Sequence, residues 1–122
     1  MSTAAATDVR TVARAYFRGL AQHDLSGIPW AADVRLRTPL NPEGGSEAEI
    51  CGRDAVHAFF TPILPALTKV DVLRELTDGD AVAVRALIEL ANGRRLHVCD
   101  IFIVRDGEII EQQNYYDPRP AM

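Results

Sequence analysis

The residues best placed to do chemistry lie near the C-terminal end of this 122-residue chain. Asp100 interrupts an otherwise apolar run from Cys99 to Val104. After the turn signal Asp106-Gly107, Gln112, Asn114 and Tyr116 recur at every second position. A strand sends alternate side chains to one face, so one sheet face there carries two amides and a phenol, with the acid beside them. Buried polar groups require partners. Such a face is either open to solvent or the polar floor of a pocket.

A cation stands nearby in sequence. Asn92-Gly93 is the strongest turn signal of the chain, and a two-residue turn there pairs Ala91 with Arg94. That register carries Arg85 opposite Asp100, close enough for a charged pair. The second hairpin has two readings. A two-residue Asp106-Gly107 turn sets Asp100 opposite Gln113. A three-residue loop with a bulge at Gly107 sets it opposite Gln112, with Asn114 and Tyr116 on its own face. A blander reading competes with both. Val82, Val84, Ala86, Ile88, Cys99, Ile101 and Ile103 would share the other face of the first hairpin, which by hydrophobicity belongs under the helices. Arg85 and Asp100 would then be an exposed pair worth roughly 0–1 kcal/mol.

The remaining candidates are weaker. His57 flanks an apolar helical stripe, His97 alternates away from Asp100, and His23 belongs to a helix-end turn. Cys51 and Cys99 sit in no metal or redox spacing and read as small buried hydrophobes. No nucleophile elbow, phosphate loop or metal-ligand spacing occurs, so neither a cofactor nor a metal is expected.

The elements that must position these residues follow from periodicity. Val9, Val12, Ala13, Tyr16, Phe17 and Leu20 predict a first helix from about Ala5 to Gln22, with Tyr16 on its buried stripe. Asp24 caps a short second helix over Leu25 to Ala32. Asp33 to Thr38 reads as a strand, and Asn41 to Glu49 as a loose loop. Gly52-Arg53-Asp54 opens a third helix with Val56, Phe59, Phe60 and Ile63 on one stripe, kinked or restarted at Pro62 and Pro65. The period then becomes two over Val70–Leu76, Ala81–Leu90, Arg95–Val104 and Ile109–Tyr116, so three consecutive hairpins are expected. Helices first and an antiparallel meander after is an α+β plan.

Composition sets the outer limits. The length suits a single domain, residues 1–122. A formal net charge of −4 with dispersed basic residues argues against nucleic acid and against an anionic membrane surface. The start MSTAAATDV has no apolar core of signal-peptide length, and no run approaches a membrane span, so a soluble cytoplasmic protein is expected.

The order of elements resembles the nuclear-transport-factor-like superfamily, and within it the SnoaL-like polyketide cyclases and their relatives. The resemblance rests on Tyr16, His23-Asp24-Leu25, Gly52-Arg53-Asp54-Ala55-Val56, and Asp100-Ile101-Phe102 through Asp106-Gly107-Glu108-Ile109 to Tyr115-Tyr116-Asp117. It implies a cone-shaped domain in which three N-terminal helices close a curved, mostly antiparallel sheet around a pocket. It points the strand acid inward, which favours the bulged second turn. It also implies a homodimer, for which the face of Val84, Ala86, Ile88, Cys99 and Ile101 is the expected surface.

Function is then read residue by residue, because one fold hosts many activities. Tyr16 and Asp100 resemble the oxyanion-binding pair of ketosteroid isomerases, but Thr38 stands where those enzymes carry an Asp base. Asn114 stands where the cyclases and limonene epoxide hydrolases place a working Asp. Arg85 matches the epoxide hydrolases' Arg, but Leu87 takes the place of their acid. The expected catalytic set is Asp100, Tyr16, Arg85 and Asn114, with Trp30, Phe60 and Tyr116, and also Phe59, against a small apolar ligand. An Arg85–Asp100 pair would hold Asp100 ionised. If Arg85 turns away and the pocket is dry, burial raises the pKa of Asp100, which then serves as an acid. The function expected is cofactor-independent acid–base isomerisation, cyclisation or hydration of an apolar oxygenated molecule of polyketide, steroid or terpenoid type. The alternative is a non-catalytic ligand-binding or dimerisation domain.

Overall fold

A computed structural model describes residues 8–41 and 47–121. Two helices and six strands follow in the order α1 (Val9–Gln22), β1 (Trp30–Thr38), β2 (Ala48–Cys51), α2 (Arg53–Phe60), β3 (Leu67–Asp78), β4 (Ala81–Leu90), β5 (Arg95–Arg105) and β6 (Glu108–Tyr115). Single 3-10 turns occupy Leu64–Ala66 and Arg119–Ala121. The sheet is curved and ordered β2-β1-β6-β5-β4-β3. All its pairings are antiparallel except β1–β6, which is parallel. That parallel pair, which sequence pattern did not announce, joins the N-terminal strand to the meander.

Asp8 caps α1, its side chain accepting from the Arg10 amide at 2.9 Å, so the helix starts at Val9 rather than near Ala5. Residues 5–7 lie outside the described residues. The stripe of Val12, Ala13, Tyr16, Phe17 and Leu20 is buried. His23 closes the helix in the left-handed conformation, φ 57°, and its Nε2 lies 2.7 Å from the Leu67 carbonyl oxygen at the start of β3.

The expected second helix is absent. Asp24 instead accepts from the amide and hydroxyl of Ser26, at 3.0 and 2.6 Å, in a tight turn. Pro29 has no amide to continue a helix. Its carbonyl accepts from Ile109 at 2.8 Å, and the chain enters β1 at Trp30. Gly19 permits this close return, since a Cβ there would meet the Asp24 carbonyl oxygen at 2.7 Å. Of the loop read over Asn41–Glu49, residues 42–46 lie outside the described residues, and Ala48 and Glu49 belong to β2, whose Ile50 pairs with Leu36.

The β4–β5 register differs from expectation by one residue. Asn92-Gly93 belongs to a three-residue loop, with the Leu90 amide donating to the Arg94 carbonyl at 2.8 Å and Gly93 at φ 85°. Val84 therefore faces Asp100, and Arg85 faces Cys99. A one-residue slip turns every side chain to the opposite face. The observed register puts Val82, Val84, Ala86, Ile88 and Leu90 inward, against Leu96, Val98 and Phe102. Burying each large apolar side chain is worth roughly 1.5–3 kcal/mol, whereas Arg85 inward would cost several kcal/mol of desolvation. Apolar burial outweighs the turn propensity.

Three expectations fall with that slip. Arg85 is exposed on the outer face. Cys99 alternates outward with it and is exposed, as is Cys51 on the short strand β2. The surface expected for a homodimer is not one face: Val84, Ala86 and Ile88 are core, whereas Cys99 and Ile101 lie outside.

The second hairpin reaches the expected face by another route. Asp106 (φ 53°) and Gly107 (φ 78°) make a two-residue turn that pairs Arg105 with Glu108. The extra residue is Ile110, not Gly107, so Phe102 faces Gln112 and Asp100 faces Asn114. Both helices pack on the inner face, α1 over β3 to β5 and α2 over β1 and β2.

Candidate functional site

Between the helices and the concave sheet face lies a cavity of about 410 Å³. Its walls are mostly apolar: Leu20 from α1, Phe59 and Phe60 from α2, Ile63 and Leu67 beyond it, and Leu90, Leu96 and Val98 from the sheet. Tyr16, Asp100, Asn114 and Tyr116 bring polar atoms to it, and Asn92 adds a loop amide. A small pocket of apolar wall with a few convergent polar groups suits a small organic ligand. Tyr16 is held by edge contacts to Phe17, Phe60 and Phe102, with ring centres 4.8, 5.8 and 5.2 Å away.

Asp100 is 2% exposed, and its Oδ1 is fully enclosed without a hydrogen-bond partner. Burial pushes its pKa well above the usual carboxylate value, and a hydrogen bond from the Tyr115 backbone amide opposes that rise. With Arg85 on the other face, no cation among the described residues offsets the burial. Burial also raises the Tyr16 phenol well above its ordinary value, the neighbouring Asp100 and Tyr116 add to it where they ionise, and a hydrogen bond with Gln112 opposes. Tyr116 is raised by burial, against a hydrogen bond with Thr38, and Asp100 adds to the rise. The Thr38 and Tyr116 hydroxyl oxygens lie 3.2 Å apart.

The structure brings together Asp100, Tyr16, Asn114, Phe60 and Tyr116 of the seven expected site residues, with Phe59 beside them. Arg85 is not among them, for the reason of register given above. Trp30 is also set apart: it is 1% exposed and stacks on Phe60, with centres 5.5 Å apart and planes 13° apart, behind the cavity wall. Its indole Nε1–H donates to Gln112 Oε1 at 2.9 Å, and Gln112 Nε2 donates to Asn114 Oδ1 at 3.1 Å. Gln112, 2% exposed, shared the face read from sequence but was not expected in the site. A buried indole needs an acceptor, which was the available signal for it. Among the described residues, Asp100 is the only carboxyl lining the cavity, and no three His, Cys, Asp or Glu side chains gather as metal ligands. No described helix is long and apolar enough to cross a membrane.

Chemically, the arrangement offers an enclosed carboxyl group, phenols and an amide to one polar atom of an otherwise apolar molecule. Known proteins share this architecture. Residues 13–112 match the model of the SnoaL-like domain. No sequence among curated proteins matches the chain. IdmH, a candidate polyketide cyclase from Streptomyces antibioticus, superposes with a TM-score of 0.79 at 16% identity, over 93% of this chain and 95% of its own. A candidate ketosteroid isomerase from Kribbella flavida gives 0.72 at 26% identity, over 89% and 77%. An NTF2-like protein of unknown function from Mesorhizobium loti gives 0.76 at 20% identity, over 89% and 90%. The sheet and helices are therefore those of an NTF2-like fold.

Proposed function

This chain belongs to the SnoaL-like domain family, and we propose that it is a cofactor-independent enzyme that isomerises or cyclises a small apolar molecule bearing a carbonyl group. The observation that carries this reading is Asp100, a carboxyl that lines an apolar cavity and whose enclosed Oδ1 has no hydrogen-bond partner. An unmet buried polar group costs about 1–3 kcal/mol. A fold that retains that cost at a residue lining the cavity gains something at that spot.

Asp100 rests as the neutral acid, because burial raises its pKa and no cation among the described residues faces it. Its O–H gives the proton to the carbonyl oxygen. The carboxylate so formed takes a proton from the carbon beside the carbonyl, which leaves an enol and restores the neutral acid. Where a C=C stands beside the enol, Asp100 gives its proton to the far carbon and takes the enol O–H proton back, which completes an isomerisation. Attack of the enol carbon on a second carbonyl closes a ring, with the enol O–H proton passing through Asp100 to the new alkoxide oxygen. One carboxyl group serves both steps, which suits the single carboxyl of the described cavity wall. Tyr16 and Asn114 steady the charge that develops on oxygen. Hydration fits less well, since water activation calls for a second base and Thr38 stands where one is expected. The same lack favours the rival reading, a ligand-binding domain without turnover.

Exchange of carbon-bound hydrogen separates the two without knowledge of the natural substrate. Tetralone labelled with deuterium beside its carbonyl is incubated with the protein in ordinary water and followed by NMR. Loss of label faster than in buffer, abolished in Asp100→Asn with binding retained, is the expected result. Binding with exchange no faster than buffer would leave only the ligand-binding reading.

A further inference from the structure

We propose that Trp30 and Gln112 are positioning residues that fix which end of the Asn114 amide meets the ligand, and so make the site select an oxygen that only accepts hydrogen bonds. This rests on the reading of the cavity as a ligand site. The chain of reasoning begins at the indole, which donates and never accepts. Trp30 Nε1 lies 2.9 Å from Gln112 Oε1, so Gln112 must turn its oxygen to Trp30. Its NH2 end then faces Asn114, whose Oδ1 accepts at 3.1 Å. Turning Asn114 over would set NH2 against NH2. Three side chains, each at most 4% exposed, thus share one polarity, pinned by the residue that has no choice.

What Asn114 has left is its NH2, which has no hydrogen-bond partner among the described residues. Asn114 lines the cavity and stands directly across the strand pair from Asp100. With Asp100 as the neutral acid, two neighbouring residues of the cavity wall each carry a donor. A ketone, an enolate or a phenolate can accept from both. A group that must donate leaves the Asn114 NH2 unmet, and a hydrocarbon strands both donors, which is how such sites discriminate most sharply. Trp30, which sequence placed against the ligand, acts instead through two intervening amides.

The test uses the intact protein and two probes of one shape, acetonaphthone and isopropenylnaphthalene, in which CH2 replaces the oxygen. The unmodified protein is expected to bind the ketone about tenfold or more tightly than the alkene, in line with one to two net hydrogen bonds. Trp30→Phe keeps a ring on Phe60 but removes the pin. The ketone-to-alkene ratio should then fall by about threefold while alkene affinity holds, as the two amides adopt both orientations. A purely structural role for Trp30 would weaken both probes together and leave the ratio unchanged; that result overturns the proposal. NMR of the unmodified protein supplies a reading that needs no variant. The ketone should shift the Asn114 NH2 signals and leave the Gln112 NH2 and Trp30 indole signals in place. Ketone binding without a response at Asn114 overturns the proposal but leaves the cavity reading intact. Failure of both probes to bind overturns the two together.

Discussion

Replacing Asp100 by Asn should remove a pH dependence of stability whose sign the structure dictates. The folded-state pKa of Asp100 is raised, with burial as the main cause, whereas the unfolded chain titrates near the ordinary carboxylate value of about 3.9. Between those two values the folded protein holds a proton that the unfolded chain has released. Stability from this group is therefore complete below the unfolded pKa, and it is lost as pH rises until the folded pKa is passed. The slope in that window is about 1.4 kcal/mol per pH unit for one proton. Other carboxylates act in the opposite sense. Glu75, for example, is lowered by its hydrogen bonds from Arg14, at 2.6 and 2.8 Å. A wild-type curve alone would mix these terms. Asn114, Val84 and the cavity wall surround Asp100 and carry no titrating charge, so subtracting the Asp100→Asn variant isolates its contribution. The assay is urea unfolding of both proteins at half-unit steps from acid to neutral pH. The variant should gain on the wild type by about 1.4 kcal/mol per unit above the unfolded carboxylate pKa, then run parallel to it. A constant difference would refute the reasoning, and a difference of opposite slope would mean that a cation pairs with Asp100 after all.

Other perturbations probe other parts of the account. Arg85→Ala should change unfolding free energy by no more than about 0.5 kcal/mol, because Arg85 faces solvent across from Cys99; a loss several times larger in urea unfolding would restore the inward pair. Asp100→Leu should stabilise the fold at neutral pH by about 1–3 kcal/mol, since it removes an unmet buried group, and should end tetralone exchange; destabilisation on thermal or urea melting would count against an apolar setting. For assembly, we propose a homodimer through the outer sheet face, where Ala83, Leu87, Ile101 and Ile103 are half-buried in the single chain. Sedimentation should then show a dimer at micromolar concentration that Ile101→Glu converts to monomer, and a monomeric wild type would end the idea.

Strand content was legible because period-two runs and Asp-Gly or Asn-Gly turns are local signals; the run Ala81–Leu90 is β4 residue for residue. Register was not, because Asn-Gly serves both a two-residue turn and a three-residue loop with glycine at positive φ. Only the competition between whole faces for the core decides between them. The short helix after Asp24 failed for a related reason, as its capping residue closes a turn equally well. β2 has only four residues, so its pairing with β1 carried no periodic signature. In the site, Asp100, Asn114 and Tyr116 were legible by alternation along two strands, and Tyr16 by its helical stripe. Gln112 and Trp30 acquire their roles only through contact across 82 residues of chain.

The protonation state of Asp100 is the point on which proton donation, ketone selection and the stability profile all depend. Infrared difference spectroscopy between wild type and Asp100→Asn at neutral pH reads it directly. A protonated carboxyl C=O band present only in the wild type, moving to lower frequency when acetonaphthone binds, is the predicted result. Carboxylate bands in its place would show an ionised Asp100 and contradict the account.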